Sequence, residues 1–243
     1  MSPRAPASEG RTAVALPTPK LSVGKSLPES LRRRRTIREI SDEKLSMQLL
    51  SNLLWAACGV NRPKGPFGAL GVTAASASNS QEIDVFVAME EGTYLFDARH
   101  HELLPVAAGD LRGMAISPGQ NVTMRAPVQL LYVVNIEKLT HTSGFQEPGL
   151  KDVEVQKSYY YVDTGLIAGN VYLFAASQGL AAWFHNCDRA SLARKLGLRR
   201  EQRVLFAQTV GHPRDPSPLL QPRPPTAQRR IVSSAPSARR RDR

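Results

Sequence analysis

The chain has 243 residues, 42% of them apolar, and 32 Lys and Arg stand against 21 Asp and Glu for a formal charge of +11. That length and apolar share support a hydrophobic core and exclude a wholly disordered chain; no apolar run of about 18 residues is present to span a membrane. Two cysteines, Cys58 and Cys187, exclude a disulfide framework and a Cys-rich zinc site. No apolar segment follows Arg4 and Arg11, so no secretory signal is expected, and a reducing cytoplasm is the expected setting. The charge excess sits at the two ends: residues 1–40 and 214–243 each carry a net +6, and residues 41–213 a net −1. The body is electrically balanced, so nucleic acid is not its expected partner.

Residues 1–25 mix Pro, Ala, Ser and Gly without periodicity and read as a mobile basic arm. Ser26-Leu27-Pro28-Glu29 has capping-box spacing and predicts a short helix running into Arg32–Arg35. Ser46 opens a clearer helix, with Met47, Leu49, Leu50, Leu53, Leu54 and Ala57 at three- and four-residue spacing and Gly59 at its end. Residues 59–81 are Gly- and Pro-rich, then small and polar, and predict a long functional loop. Ile83–Met89, a Glu91-Gly92 turn and Thr93–Phe96 predict a hairpin. Pro127–Val134 reads as a buried strand and Glu137–Val155 as an excursion or lid. Lys157–Leu180 is the longest helical pattern, closed by Gly179. Leu180–Phe184 is a short strand, Asp188 caps a helix ending near Gly197, and Arg203–Val210 is the last strand. The chain then turns Pro- and Arg-rich, so 214–243 is expected to be a disordered tail and 26–213 the folded domain. Hairpin-joined strands mixed with helices predict an α+β fold.

Arg34-Arg35-Thr36-Ile37-Arg38 concentrates three guanidiniums and a hydroxyl at a helix end. Guanidiniums grip phosphate oxygens in bidentate pairs, and Thr adds a neutral donor. By itself the run reads as a solvated basic face or a nucleic-acid tail rather than a phosphate site.

The order Leu31-x-x-Arg34-Arg35-Thr36-x-Arg38, then Leu45-Ser46-x-x-x-Leu49-x-x-x-Leu53-Leu54-Trp55-Ala56-Ala57-x-Gly59-Val60-Asn61-Arg62, resembles the nitroreductase-like flavoprotein family, and within it the SagB-type oxidoreductases. The likeness continues through Ser76-x-x-Asn79-Ser80-Gln81-Glu82-Ile83, Gly92-x-Tyr94, Gly109-Asp110-Leu111-Arg112, Gln120 and Ala126-Pro127-Val128. It ends with Asp163-x-Gly165, Asn170-Val171-Tyr172-Leu173 and Gln208-Thr209-Val210-Gly211-x-Pro213. It spans roughly residues 27–214.

The resemblance implies a mainly antiparallel central sheet flanked by helices, a homodimer, and FMN at the subunit interface. It implies that Arg34, Thr36 and Arg38, with Arg35 nearby and Arg214 from the far end, hold the FMN phosphate. Ser76, Asn79 and Gln81 would lie against the ribityl chain and ring. Backbone amides of Phe184-His185-Asn186 would approach the ring N5. The chemistry of these residues agrees: a phosphate dianion wants charge-assisted donors, and the pyrimidine edge wants amides. Hydride transfer belongs to the cofactor, so no side-chain nucleophile and no metal is expected. NAD(P)H is the expected electron donor, and a nitro compound, quinone or similar small molecule the acceptor.

The chain departs from the family pattern at Val72 and Ala75, where an Arg and a Pro are common, and at Gly169, where Gln is common. These departures put the flavin-edge contacts in question. His185 could face the flavin or be structural. Cys187 could be a reactive thiol or a buried inert one, and Asp163 could orient the pocket or be a satisfied core carboxylate. His100-His101 reads as a surface turn. Tyr159-Tyr160-Tyr161 could line an entrance or pack at an interface.

Two further functions fit parts of the chain. An azoline dehydrogenase, oxidising a heterocycle in a modified peptide, would need a base, and Lys157-Ser158-Tyr159 has the Lys-x-Tyr spacing of those enzymes. A flavin-free nucleic-acid-binding protein would use the two basic ends.

Overall fold

The computed structural model describes residues 12–117 and 126–215. Gln120 and the tail from residue 216 onward lie outside the described residues. Five helices are α1 (Leu27–Arg33), α2 (Met47–Cys58), α3 (Ile136–Thr140), α4 (Val153–Gln178) and α5 (Arg189–Lys195). Nine strands are β1 (Val14–Ala15), β2 (Val60–Arg62), β3 (Gly71–Val72), β4 (Ile83–Met89), β5 (Gly92–Asp97), β6 (Glu102–Ala108), β7 (Val128–Asn135), β8 (Ala181–His185) and β9 (Gln202–Gly211). Seven form one sheet in the order β1-β6-β5-β4-β7-β9-β8, and β2 pairs with β3 in a separate ribbon. Every pairing in the large sheet is antiparallel.

The inner strand β7 is buried along its whole length, and its Leu130–Val134 stretch reads as an unbroken apolar run, because both of its faces are covered. One face packs Val85, Leu130, Tyr132 and Val134 against Leu53 and Leu54 of α2 and Ile167 and Val171 of α4. The other packs Phe86, Leu131 and Val133 against Leu192 of α5 and Ala115. Ser46 caps α2 by accepting from the Leu49 N–H, and Asp152 caps α4 by accepting from that of Glu154. Gly179 ends α4 in the left-handed conformation at φ 71°, which suits a residue without Cβ.

Four expectations change. The arm is not loose from residue 12 onward: β1 pairs with β6, Leu16 is buried, and the Ser51 hydroxyl donates to the Pro17 carbonyl at 2.5 Å. Backbone pairing and a single buried Leu anchor it, neither of which has a sequence period. The segment 137–155 is not an irregular lid. It contains α3 and the first turn of α4, and Phe145 is buried in the core against the edge of Tyr159. Strand β6 has no counterpart in the sequence reading, because Pro105 interrupts it, yet Pro105 pairs opposite Tyr94 beside a register shift. His101 is also no simple surface residue: its Nε2 lies 2.7 Å from Ser51 Oγ and its ring meets Phe96 edge-on.

Candidate flavin site

After α1 the chain runs extended from residue 34 to 39 beside the end of β8, where the Ile37 N–H donates to the Ala182 carbonyl. Side chains alternate in an extended segment. Arg34, Thr36 and Arg38 accordingly lie exposed on one side, while Arg35 and Ile37 turn inward. Arg35 donates from Nε to the Arg33 carbonyl. The Arg34 guanidinium sits over the Tyr172 ring at 5.6 Å, and that of Arg38 over Trp183 at 5.7 Å. Among the described residues neither has a carboxylate partner. Two exposed cations held by aromatic faces, with a hydroxyl between them, form a donor set that fits a phosphate dianion.

Thr36 is anchored by a residue that the sequence reading passed over. Thr36 Oγ1 lies 3.0 Å from the Tyr172 hydroxyl, and that hydroxyl accepts from the Phe184 N–H at 2.9 Å. Tyr172 can therefore spend its own proton on Thr36, which leaves the Thr36 O–H to point outward. The polar Tyr within an apolar stretch of α4 is the signal that could have found it.

The segment after β9 reaches this one through its backbone. Ile40 bridges to Pro213, and the Arg214 N–H donates to the Glu39 carbonyl. The Arg214 guanidinium stands 3.9 Å from the Glu39 carboxylate, so its charge is partly engaged there.

Ser76, Asn79 and Gln81 come together in a second cluster, a tight loop before β4. Ser76 Oγ accepts from the Gln81 N–H. Asn79 Nδ2 donates to the carbonyls of Pro66 and Leu70. Gln81 Nε2 donates to the Leu70 carbonyl and to Asn79 Oδ1. The amide donors are thus committed to the 66–70 carbonyls and to each other. Leu70 also lines an open cleft of about 580 Å³ with Arg62 and Arg99. Ser78, Asn79 and Gln81 all have left-handed backbone, at φ 50°, 56° and 49°. Each such non-glycine residue costs roughly 1–3 kcal/mol, and such strain collects at functional sites. The loop is held from α4, where Asp163 accepts the Ala77 N–H at 2.9 Å. Asp163 and Tyr172 are nine residues apart on α4, roughly 13 Å along the axis, so one helix anchors both clusters.

The expectation for 184–186 needs correction. Phe184 and His185 belong to β8 rather than to a turn, and the Phe184 amide is used by Tyr172. His185 is buried; its Nδ1 bonds the Asn186 carbonyl, its Nε2 lies 2.8 Å from Thr209 Oγ1, and its ring stacks on Trp183. Burial lowers its pKa, so it is a neutral member of the sheet's polar chain and does not line an open cleft. Of the three, Asn186 alone is exposed. Cys187 is buried and its thiol is pushed up to about 11, which keeps it protonated and inert. Lys157 is tied to Glu154 at 2.5 Å, and that partner raises its pKa, so it stands as a charged ammonium rather than a base. Tyr159 is partly exposed and packs on Phe145.

Of the departures from the family pattern, Val72 pairs opposite Val60 in the β2–β3 ribbon, while Thr73 Oγ1 donates to the carbonyls of Trp55 and Ala56. A Cβ at Gly169 would meet nothing within 4 Å. Ala75 is exposed.

Residues 31–212 match the nitroreductase family. The chain belongs to the nitroreductase family. A protein of Methanocaldococcus jannaschii described as a nitroreductase is 29% identical over 162 residues, 63% of this chain and 75% of its own. A Ralstonia eutropha crystal structure described as a nitroreductase aligns with a TM-score of 0.73 at 32% identity, covering 87% of this chain and 94% of that one. A chain of the Escherichia coli McbBCD microcin synthetase complex, solved with truncated pro-MccB17, aligns at 0.58 and 18% identity over 85% of this chain and 80% of that one. At that identity the likeness shows the fold alone. This nitroreductase-family protein is an oxidoreductase with the mainly antiparallel α+β fold of its relatives. Among the described residues no helix is long and apolar enough to cross a membrane.

Proposed function

We propose that this nitroreductase-family oxidoreductase binds FMN and transfers hydride between a nicotinamide donor and a small organic acceptor such as a nitro compound or quinone. The observation that carries the reading is the presentation of Arg34, Thr36 and Arg38 on one side of an extended segment, with both guanidiniums free of carboxylates among the described residues. Members of the family typically bind flavin, and this donor set suits its phosphate. When bound, the flavin would supply the hydride chemistry. The chain's own residues bind and orient: the two arginines and Thr36 take the phosphate, Tyr172 aims the Thr36 hydroxyl, and the 76–81 loop receives the ring and ribityl chain. The cleft beside Leu70 gives a second molecule access to that loop.

The site would lie at a homodimer interface. Tyr161, Val162, Gly165 and Leu166 form an exposed, largely apolar stripe on α4, at the spacing of one helix face. Two cysteines without a disulfide accord with a reducing cytoplasm. The motif set favours the SagB-type group, but the pairing of Lys157 with Glu154 disfavours the azoline dehydrogenase chemistry for which that group is named. The nucleic-acid reading rests largely on basic residues outside the described part of the chain.

Flavin fluorescence titration of the apoprotein tests the proposal. Tight quenching that weakens in Arg34→Ala supports it; equal affinity in that variant removes the phosphate assignment.

A further inference from the structure

Glu82 is a charged residue type at the head of an apolar strand, and it is fully buried. Its Oε2 accepts from Ser80 Oγ at 2.6 Å. Its Oε1 is sealed from solvent without a hydrogen bond of standard geometry. The ionisable group beside it is Asp163, itself buried, whose Oδ2 accepts the Ala77 N–H. The two carboxyls therefore grip one loop at two points, Asp163 at Ala77 and Glu82 at Ser80. Between and just beyond those points lie the left-handed residues Ser78, Asn79 and Gln81.

We propose that Glu82 and Asp163 share a single proton and act together as positioning residues, holding the 76–81 loop in the strained form that receives the flavin. This rests on the flavin reading above. Two adjacent buried carboxylates repel, so one must keep a proton. A protonated Glu82 donates to Asp163, which satisfies the orphan oxygen and leaves Asp163 the anion that holds the Ala77 N–H.

Among the described residues the surroundings offer no countercharge that would relieve the pair. On its own segment Glu82 meets the Ser80 hydroxyl. From β7 the Asn135 N–H, a neutral group, donates to the Glu82 carbonyl. From α4 the interacting group is Asp163, and Tyr160, one turn away, is neutral. Asp84, two residues along β4, is already paired with Lys138 of α3. Burial first, then the Asp163 charge, lifts Glu82 from 4.5 to about 7, and burial lifts Asp163 as well. A carboxyl raised in the fold stabilises it fully below its unfolded value, and that stabilisation is lost as pH rises through the folded value. The window here runs from 4.5 to about 7. Above it the loop must hold two anions and loosens.

The test compares wild type with Glu82→Gln, which keeps a donor toward Asp163 and an acceptor for Ser80 but cannot ionise. FMN affinity of the wild-type apoprotein is expected to fall roughly tenfold between about pH 6 and about pH 8.5. Glu82→Gln should bind like wild type at the lower pH and lose that dependence. Ionisation of the FMN phosphate is common to both proteins and cancels in the comparison. Asp163→Ala should bind weakly at every pH. An unchanged pH profile in Glu82→Gln overturns the proposal, because a merely structural glutamate would give that result. If wild type binds no FMN at any pH, the flavin reading fails, and thermal unfolding of the flavin-free proteins decides on the pair. Wild type should then lose melting temperature across the same window more steeply than Glu82→Gln, and equal slopes overturn the shared proton.

Discussion

The Tyr172 hydroxyl lies 3.0 Å from Thr36 Oγ1 and accepts the Phe184 N–H, so the long helix α4, the edge strand β8 and the arginine segment meet at one oxygen. Each donor there has one acceptor, and the Thr36 proton is the one left over. Tyr172→Phe is expected to weaken FMN binding roughly fivefold, Thr36→Ala by a similar factor, and Arg34→Ala roughly 10–100-fold because its bond is charge-assisted. Fluorescence titration checks all three. If Tyr172→Phe and Thr36→Ala bind like wild type, the hydroxyl is not a phosphate ligand.

Gly144 abuts the strained loop. A Cβ there would stand 2.6 Å from the Phe67 ring and 2.8 Å from Ser78 Cβ. Gly144→Ala is therefore expected to push on the 76–81 loop, destabilising the protein by about 1–3 kcal/mol and lowering flavin affinity several-fold. Urea melts of the flavin-free protein and a flavin titration read the two effects separately. A variant with unchanged affinity would show that the loop's form does not govern binding.

His185 gives an acid-side prediction of opposite sign to that of Glu82. Burial depresses its pKa below 6.5, so the unfolded chain binds protons that the folded chain refuses. The stabilisation is present above about pH 6.5 and is lost as pH falls toward the depressed value. Substituting His185→Asn should flatten the acid limb of a stability–pH curve. An unchanged limb would mean that the ring is not held neutral.

Lys157 separates the oxidoreductase reading from azoline oxidation. Its ammonium is bound to Glu154 at the surface. Lys157→Met is expected to change nicotinamide-driven turnover less than about twofold, since exposed ion pairs contribute little. A large loss of turnover would return Lys157 to the list of catalytic groups.

Much of this was legible in the chain. The Arg34–Arg38 set was legible from the family motif, but the alternation that presents it was not, because the helix pattern runs on into Arg35 whereas α1 ends at Arg33. The helices were readable from Ser46 and from the α4 apolar period, although α4 begins at Val153, where polar residues mask its first turn. Strand β6 was hidden by Pro105, and β1 is held by pairing that leaves no local pattern. Partners made across the sheet were invisible. His185 looked available because its bond to Thr209 joins residues 24 apart, and Glu82 drew no role because Asp163 lies on another element. The commitment of Asn79 and Gln81 to the 66–70 carbonyls was equally out of reach of spacing alone.

The most direct test is the absorbance spectrum of the purified protein after incubation with FMN, recorded anaerobically before and after adding NADH or NADPH. The expected result is a yellow protein with stoichiometric flavin whose absorbance one of the two nicotinamides bleaches. A protein that stays colourless after incubation with FMN would contradict it.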